Sequence, residues 1–309
     1  MPEDYSIEGE RLIWLWIAEG FVEKQKGKML EEVVEEYLIE LIHRRLVQVS
    51  RTKSDGRVGK CRVHDVVREI ISSMFEEFSF CQILEEENSS FNDTTRRLSV
   101  HTHYCNMDKV MESIGKSPVR SVFLFQRGVL PKKTLLGTVA ANFKLLKVLD
   151  LEDAPLDQLH EEVGNLFLLR YLSIRNTKVK IIPKSIVGVK IQEGIGGLEE
   201  LQNLWYVETN HGLIKELEKL RQLRKLGITK LEREHGRALC AAFEKMKYLQ
   251  HLSVWASSDD ENLDLQYISS SSPPQYLQHL RLTGCLEKLP NWILKLQNLI
   301  RCIPKTKTY

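Results

Sequence analysis

A histidine and an aspartate stand side by side in the stretch CRVHDVVREI, residues 61–70. His64 and Asp65 follow a short β-like run and precede an apolar helical run. The pair could form a catalytic dyad, sense a bound ligand, or mark the start of a helix. A dyad is disfavoured, because a nucleophilic site also needs a positioned Ser or Cys, and sequence neighbours rarely face each other productively. Chemistry alone favours an Asp65 carboxylate that caps the helix.

A second candidate for chemistry is Gly115-Lys116-Ser117, which looks like the end of a Walker A phosphate loop. That pattern requires another glycine five residues before the Gly-Lys pair, and Val110 occupies this position. No strand pattern precedes it either. We interpret the match as chance and predict that the chain has no phosphate-binding loop of its own.

The His64 segment ends a predicted series of helices and one hairpin. RLIWLWIAEGF (11–21) is apolar nearly all round, as in a buried helix. Apolar residues at helical spacing predict further helices over 30–42 and 66–78. Asp55-Gly56 lies between two strand-like runs and indicates a β-hairpin. Helices, a hairpin and a final helix in this order are close to a winged-helix arrangement.

A winged helix can bind DNA, but the charge of this one argues against it. Residues 1–80 carry 12 Lys and Arg against 16 Asp and Glu, whereas phosphate contacts supply most non-specific DNA affinity. A DNA-binding regulator is therefore disfavoured, and the basic cluster around the hairpin is interpreted as a solvated wing. Its members are Arg44, Arg45, Arg51, Lys53, Arg57, Lys60 and Arg62.

From about residue 96 onward the sequence repeats. Apolar residues two positions apart recur every 22–32 residues, at Leu98/Val100, Val122/Leu124, Leu149/Leu151, Leu172/Ile174, Leu204/Tyr206, Leu226/Ile228, Leu252/Val254 and Leu280/Leu282. A ninth, degenerate unit falls at Leu299/Cys302. This is the leucine-rich-repeat signature, in which each unit adds one short strand to a parallel sheet. The period of two in VLDL and HLRL disfavours a helical array.

The predicted fold class is therefore α/β. A winged helix (1–84), mostly α with a β-hairpin, is followed by a polar linker (85–95) and by a leucine-rich-repeat solenoid (96–309) whose parallel β-sheet forms the concave face. The interval across 185–197 is too long for one repeat and too short for two, and IRCIPKTKTY shows no capping repeat. Both features predict an incomplete or spliced chain.

Positions between and just after the strand leucines point outward in a solenoid and can contact a partner. Trp255 and Arg281 are residue types that anchor interfaces. For each residue taken singly, a merely solvated surface is the alternative. The predicted partner-binding residues of the concave face are Asp150, Ser173, Arg175, Ser253, Trp255 and Arg281.

Composition sets broad limits on the class of protein. The 309 residues are 42% hydrophobic and 28% charged, enough for a sizeable core in about two domains. The net charge of +2 selects neither nucleic acid nor an anionic membrane. No apolar run approaches the ~18 residues of a membrane span, and MPEDYSIEGE lacks signal-peptide features. Six cysteines without C-x-x-C spacing predict reduced thiols, no metal site and a cytoplasmic location.

Several segments together resemble plant coiled-coil NB-ARC leucine-rich-repeat disease resistance proteins. The resemblance covers nearly the whole chain, and its segments are 2–22, LIHRRLVQVS, CRVHDVVREI, 96–101, 146–186 and 286–301. It implies that VHD at 63–65 stands where the family carries its MHD motif. His64 would then contact ADP phosphates as a nucleotide sensor, with Asp65 as its structural neighbour and Val63 preserving the packing of the usual methionine.

The resemblance also implies what lies beyond these residues. The coiled coil, the P-loop domain and the first helical subdomain would precede Met1, so this chain alone is predicted not to bind ADP or ATP tightly. Relative to the family, 185–197 looks like a lost repeat, and His160 stands where the next repeat has Pro183.

By this resemblance the chain belongs to an innate immune receptor rather than an enzyme. Its repeats would recognise a pathogen effector or a guarded host protein and restrain an ADP/ATP switch in an NB-ARC domain, in the same product or in trans. Release would trigger defence and hypersensitive cell death. The alternative is a non-switching repeat protein that acts as a decoy or regulator of full-length receptors, and a P-loop segment upstream in the same product would discriminate the two.

Overall fold

A computed structural model shows a winged helix followed by a long parallel sheet. The residues described are 5–53, 55–78, 80–84, 91–101, 117–125, 134–154, 156, 158–179, 195–258, 260–268 and 273–305. Gly115 and Lys116 of the chance Walker match lie outside these ranges, as do most of the predicted linker and residues 185–194 of the irregular interval.

The N-terminal part contains three helices and a small antiparallel sheet. Its elements are β1 (Ile7–Glu8), α1 (Gly9–Glu19), α2 (Leu30–His43), β2 (Val47–Thr52), β3 (Val58–Val63) and α3 (Asp65–Glu77). The strand order is β1-β3-β2. The predicted helices and hairpin are confirmed, and their order is that of a winged helix.

Helix α1 is buried at the centre of this part because it is apolar on nearly every side. It ends at Gly20, whose φ of 80° suits glycine and whose N–H donates to the Trp16 carbonyl at 3.1 Å. It begins at Gly9, where a Cβ would lie only 2.6 Å from the carbonyl oxygen of Val58. The absence of a side chain at Gly9 thus lets α1 pack directly on β3.

Ten parallel strands in chain order form the second sheet. They are β4 (Gln82–Leu84), β5 (Arg97–Val100), β6 (Ser121–Leu124), β7 (Val148–Asp150), β8 (Tyr171–Ser173), β9 (Asn203–Glu208), β10 (Lys225–Leu231), β11 (His251–Ala256), β12 (His279–Thr283) and β13 (Arg301–Lys305). From β5 to β13 the register aligns one row, Leu98, Val122, Leu149, Leu172, Leu204, Leu226, Leu252, Leu280 and Cys302. The predicted strands are confirmed, with two corrections to the paired positions. Val207, not Tyr206, is the buried residue opposite Ile228, because the register shifts between β9 and β10. Cys302, not Leu299, lies opposite Leu280.

Strand β4 is not predicted by the sequence pattern. It lies within the segment assigned to the winged helix, yet it pairs in parallel with β5. Three residues are too few for a period of two to register. The boundaries drawn at residues 84 and 95 therefore stay predictions, and β4 itself belongs to the repeat sheet.

Short helices connect the strands and pack on one side of the sheet. They are α4 (Thr134–Asn142), α5 (His211–Leu217), α6 (Gly236–Lys245) and the 3-10 helices Glu161–Asn165, Ile195–Gly197, Arg233–His235 and Ile293–Lys295. The strand leucines join them in one continuous core. The buried cluster of the winged helix includes Val148 and Tyr171 from β7 and β8. The two parts of the chain therefore share apolar packing on the concave side.

Candidate functional site at the concave face

Helix α1 lies across the concave face of the repeat sheet. Near its start, Glu10 pairs with Lys225 of β10, and at its end Glu19 pairs with Arg97 of β5. Because alternate strand residues point to opposite faces, the residues flanking each core leucine face this helix. This is the face that the sequence assigns to an external partner.

Arg11 is the centre of the contact. Its guanidinium lies 2.7 Å from Asp150 and 3.2 Å from Glu152, at the end of β7. The Arg11 and Asp150 side chains are 5% and 0% exposed, so water screens their attraction little. Burial raises the pKa of Glu152 to about 7, and the Arg11 charge opposes this rise. Glu152 is therefore the group of this cluster that titrates near neutral pH.

A second ion pair joins the partly exposed Glu10 to the buried Lys225. The Lys225 Nζ lies 2.6 Å from Glu10 Oε1, and it also lies 5.7 Å from the ring of Trp14 and 4.1 Å from that of Trp205. The ammonium group is thus compensated by a carboxylate and by two aromatic faces. Lys225 holds the pKa of Glu10 well below its usual range, against the effect of burial. This pair fixes the start of α1 over β10.

A bidentate ion pair between Arg97 and Glu19 fixes the other end of α1. Arg97 donates to Glu19 through Nε at 3.1 Å and through Nη2 at 2.8 Å. Its guanidinium lies 4.9 Å from the ring centroid of Phe21 and 4.1 Å from that of Phe80. Bidentate pairs of this kind fix geometry as well as supplying energy. Polar contacts therefore anchor α1 at both ends as well as at its centre.

Four of the six predicted partner-binding residues are buried or already paired. Asp150 and Ser173 are 0% and 1% exposed, and Ser253 is also buried. Arg175 donates to Glu8 at the start of α1. The structure thus brings these residues together on one face, where the chain's own winged helix contacts Asp150 and Arg175.

The other two, Trp255 and Arg281, form the accessible end of the face. The exposed Arg281 guanidinium lies 5.5 Å from the Trp255 ring centroid, and Tyr206 stacks on Trp255 at 4.9 Å. Trp205 adjoins them across Gly227, where a Cβ would lie 2.7 Å from its ring. Sequence reasoning missed Trp205 and Tyr206, although two adjacent aromatic residues at a strand were an available signal.

The His64 segment joins β3 to α3. Asp65 is the exposed first residue of α3, so its carboxylate lies in the first turn, where the helix dipole favours negative charge. It does not precede the helix as a cap would. The half-buried His64 precedes it instead, and its carbonyl accepts from the Arg68 N–H at 2.8 Å. The His64 N–H donates to the Leu46 carbonyl at 3.4 Å.

A nucleotide phosphate needs several converging donors. This segment offers one imidazole and the start of α3, beside a carboxylate that repels phosphate. These residues do not by themselves fit a bound ADP. The nucleotide-sensing role of Val63, His64 and Asp65 therefore stays a prediction.

Comparison with known proteins identifies both parts of the chain. A family model described as the disease resistance protein winged helix domain matches residues 1–71, and one described as a leucine-rich repeat region matches 187–302. Disease resistance protein RPM1 of Arabidopsis thaliana is 26% identical over 96% of this chain and 37% of its own length. The chain belongs to the plant disease resistance proteins.

Other members of this disease resistance family match over a similar span. Late blight resistance protein homologue R1B-16 of Solanum demissum is 33% identical over 94% of this chain and 22% of its own length. Disease resistance protein Pik-2 of Oryza sativa subsp. japonica is 28% identical over 96% and 36%. The chain thus spans between a fifth and two fifths of these relatives. A solved leucine-rich-repeat protein of Leptospira interrogans is 20% identical over 71% of this chain and 64% of its own, with a TM-score of 0.44.

Two further features of this disease resistance chain concern membranes and metals. Within the described ranges no helix is long and apolar enough to cross a membrane. Glu232, Glu234 and His235 place their ligand atoms within 4.8 Å of one another. Both carboxylates are exposed, and exposed acidic groups commonly cluster without an ion. No metal is assigned there.

Sequence reasoning also missed the α1 residues that face the sheet, Glu10, Arg11 and Glu19. A signal was present, because a helix that is apolar nearly all round is buried on all sides. Charged residues within such a helix need buried partners. The sequence shows this need but does not say where the partners lie.

Proposed function

We propose that this chain acts in a plant innate immune receptor whose winged helix occupies the recognition face of its own repeats. The observation that carries the proposal is the buried ion pair of Arg11 with Asp150. A residue placed to contact a partner is already paired within the chain. An external protein that binds the concave face must therefore compete with α1.

The recognised partner is a pathogen effector or a guarded host protein. It first contacts the accessible end of the face, where Arg281 lies over Trp255. Tryptophan and arginine supply a large share of binding energy in protein interfaces. Binding then replaces the contacts of α1, so the partner's differential affinity for the open arrangement drives release.

Release of α1 also affects the segment that carries the predicted sensor. β1 directly precedes α1 and pairs with β3, with Ile7 opposite Cys61. Val63, at the end of β3, is two residues further along the same strand. This short connection supports a switch in which the repeats restrain an ADP/ATP-binding NB-ARC domain, in the same product or in trans, until recognition triggers defence and hypersensitive cell death.

The test reverses charges at the centre of the contact, in the native gene product expressed in leaf tissue. Arg11→Asp and Asp150→Arg each place like charges together in a buried contact. Each single variant is expected to cause local cell death without a pathogen. The double variant exchanges the two charges and is expected to be silent again, as is the control Lys24→Asp at an exposed position.

Two results would contradict the proposal. If both single variants stay silent although hydrogen exchange shows α1 released, the chain is a non-switching decoy or regulator of full-length receptors. If the double variant kills cells like the single ones, the charge pair is not what restrains the receptor.

A further inference from the structure

A cleft of about 440 Å³ lies between the winged helix and the first repeat strands. α1, α3 and the strands β4 to β6 each contribute a wall, and the walls are largely apolar and aromatic. Wall residues that carry the argument are Leu15, Trp16, Ile71, Phe75, Phe123 and Phe125. The volume lies within the range of about 300–1,000 Å³ that is typical of small-molecule sites.

Four of the six charged residues that line the cleft form ion pairs with one another. A charged ligand would have to displace one of them or be buried without a counter-ion, and both are unfavourable. The pairs are Arg11 with Asp150 and Arg97 with Glu19. Arg62 donates to the neutral amide of Gln48, and Arg68 has a partner although its buried Nε donates no hydrogen bond. Because most of the wall is apolar, the cleft favours a neutral ligand.

Water is a poor occupant of this space. An ordered water needs two to four polar partners, and the apolar walls offer few. The rings of Trp16, Phe75 and Phe123 instead offer faces and edges to another ring. We propose that this cleft binds a neutral, mainly apolar small molecule that contains at least one aromatic ring.

Such a ligand contacts the winged helix and the repeat sheet at once. It binds the docked arrangement and loses its contacts with one of the two parts when they separate. By mass action it therefore stabilises docking. The cleft is thus a site at which a small molecule strengthens the contact between α1 and the repeats.

The probe for the test is N-phenyl-1-naphthylamine, a neutral aromatic amine whose fluorescence rises in apolar surroundings. It is titrated into the 309-residue chain. Ser72→Leu places a larger side chain in the cleft from α3. It is expected to weaken probe binding at least about tenfold, or about 1.4 kcal/mol. The matched control Ser73→Leu makes the same change at the next, exposed residue and is expected to bind like the wild type.

An exposed apolar stripe that runs along α3 and onto the residue after it is the other place where such a probe could bind. Its members are Val66, Ile70, Met74 and Phe78. Met74→Glu puts a charge into this stripe and is expected to leave probe binding unchanged. Loss of binding in Met74→Glu would overturn the proposal. Equal affinity in Ser72→Leu and Ser73→Leu would overturn it too, as would no binding by the wild-type chain.

A second readout localises the probe without filling the cleft. Trp16 lies in the wall, whereas Trp205 lies on the concave face away from it. Energy transfer from tryptophan to the bound probe is expected to fall in Trp16→Phe and to persist in Trp205→Phe. Equal transfer in the two variants would place the probe elsewhere and overturn the proposal, even if Ser72→Leu does not fold.

Discussion

The Arg11 guanidinium and the Asp150 carboxylate lie 2.7 Å apart, although 139 residues separate them in the sequence. One belongs to the winged helix and the other to the fourth strand of the repeat sheet. Each is buried, so neither is stable there without the other. The contact therefore favours two arrangements, one docked with the pair formed and one separated with both groups in water.

Replacing Arg11 by methionine is expected to release α1. Methionine keeps the unbranched aliphatic part of the side chain but removes the charge. Asp150 and Glu152 are then buried without this cation, which costs about 3–5 kcal/mol. Separation of α1 from the repeats returns both carboxylates to water. The variant is therefore expected to shift the docking equilibrium towards the separated arrangement. Hydrogen–deuterium exchange is expected to accelerate in both α1 and β7.

The controls for Arg11→Met separate charge from geometry. Arg11→Lys keeps the charge without the planar fork and is expected to give an intermediate effect. Lys24→Met, at an exposed position, is expected to change nothing. Wild-type exchange rates in Arg11→Met would show that the pair does not support docking.

Docking is expected to weaken as the pH rises towards 7, because of Glu152. Burial raises its pKa from 4.5 to about 7, with Arg11 opposing, so the docked state favours the protonated carboxyl. This stabilisation is present in full below pH 4.5 and is lost as the pH rises through about 7. One proton gives a slope of at most about 1.4 kcal/mol per pH unit.

Glu152→Gln isolates that contribution, since the amide stays neutral at every pH. Exchange rates of α1 measured between pH 4.5 and 7 are expected to depend less on pH in this variant than in the wild type. An unchanged pH dependence would assign the effect to another group.

A half-buried histidine, His279, is expected to act in the opposite direction at acid pH. Burial lowers the pKa of His279 from 6.5 to about 4, and the nearby Arg57 charge adds to this. The folded state favours neutral imidazole, so this stabilisation is present above pH 6.5 and is lost as the pH falls towards 4. His251, 4.4 Å away between ring centroids, has a lowered pKa for the same main reason.

His279→Gln removes one protonatable ring from this pair. The pH at which the thermal unfolding midpoint starts to fall is expected to be lower in this variant than in the wild type. His43→Gln, at the exposed end of α2, serves as the control. Acid sensitivity that His279→Gln leaves intact would contradict the expectation.

At Gly236, alanine is expected to be less stable than glycine, although alanine is normally the more stable of the two in a helix. A Cβ at this first residue of α6 would lie 2.1 Å from the backbone oxygen of Asp264. Gly236→Ala is therefore expected to destabilise the chain by about 1–3 kcal/mol through overpacking. At the exposed Ala241 of the same helix, the ordinary rule predicts that Ala241→Gly costs about 1 kcal/mol. Denaturant unfolding measures the change in the free energy of unfolding for each variant, and both variants are expected to be less stable than the wild type. A stabilised Gly236→Ala would refute the close contact.

The repeat sheet follows from the sequence because its information is local and redundant. Each leucine pair specifies its own strand, and the pairing of Leu149 with Leu172 repeats a rule already seen in the preceding unit. β4 escapes this rule because a three-residue strand carries too little pattern. Asp65 is the first residue of α3, one position after the capping position that the sequence suggested. The spacing of apolar side chains does not fix a helix boundary to the residue, because the boundary depends on backbone geometry.

The docked position of α1 could not be read from the sequence. The sequence indicates that Arg11, in an apolar helix, needs a buried partner. It also indicates that Asp150 points outward on the concave face. No short-range sequence pattern links Arg11 to Asp150, because their contact depends on how the winged helix packs against the repeats. Sequence reasoning assigned this face to an external protein, and the structure shows that α1 of the same chain contacts it.

Helix α1 contacts the sheet from Arg97 in β5 to His251 in β11, and so forms a chord across the arc of the solenoid. Because the number of strands between these contacts is fixed, the distance that α1 spans depends on the curvature of the sheet. A protein that grips the outer, convex surface and bends or flattens the arc alters the separation of Arg97 and Lys225, and with it both end contacts of the helix. A protein that binds the convex surface and changes this curvature is therefore expected to weaken the docking of α1 without entering the concave face.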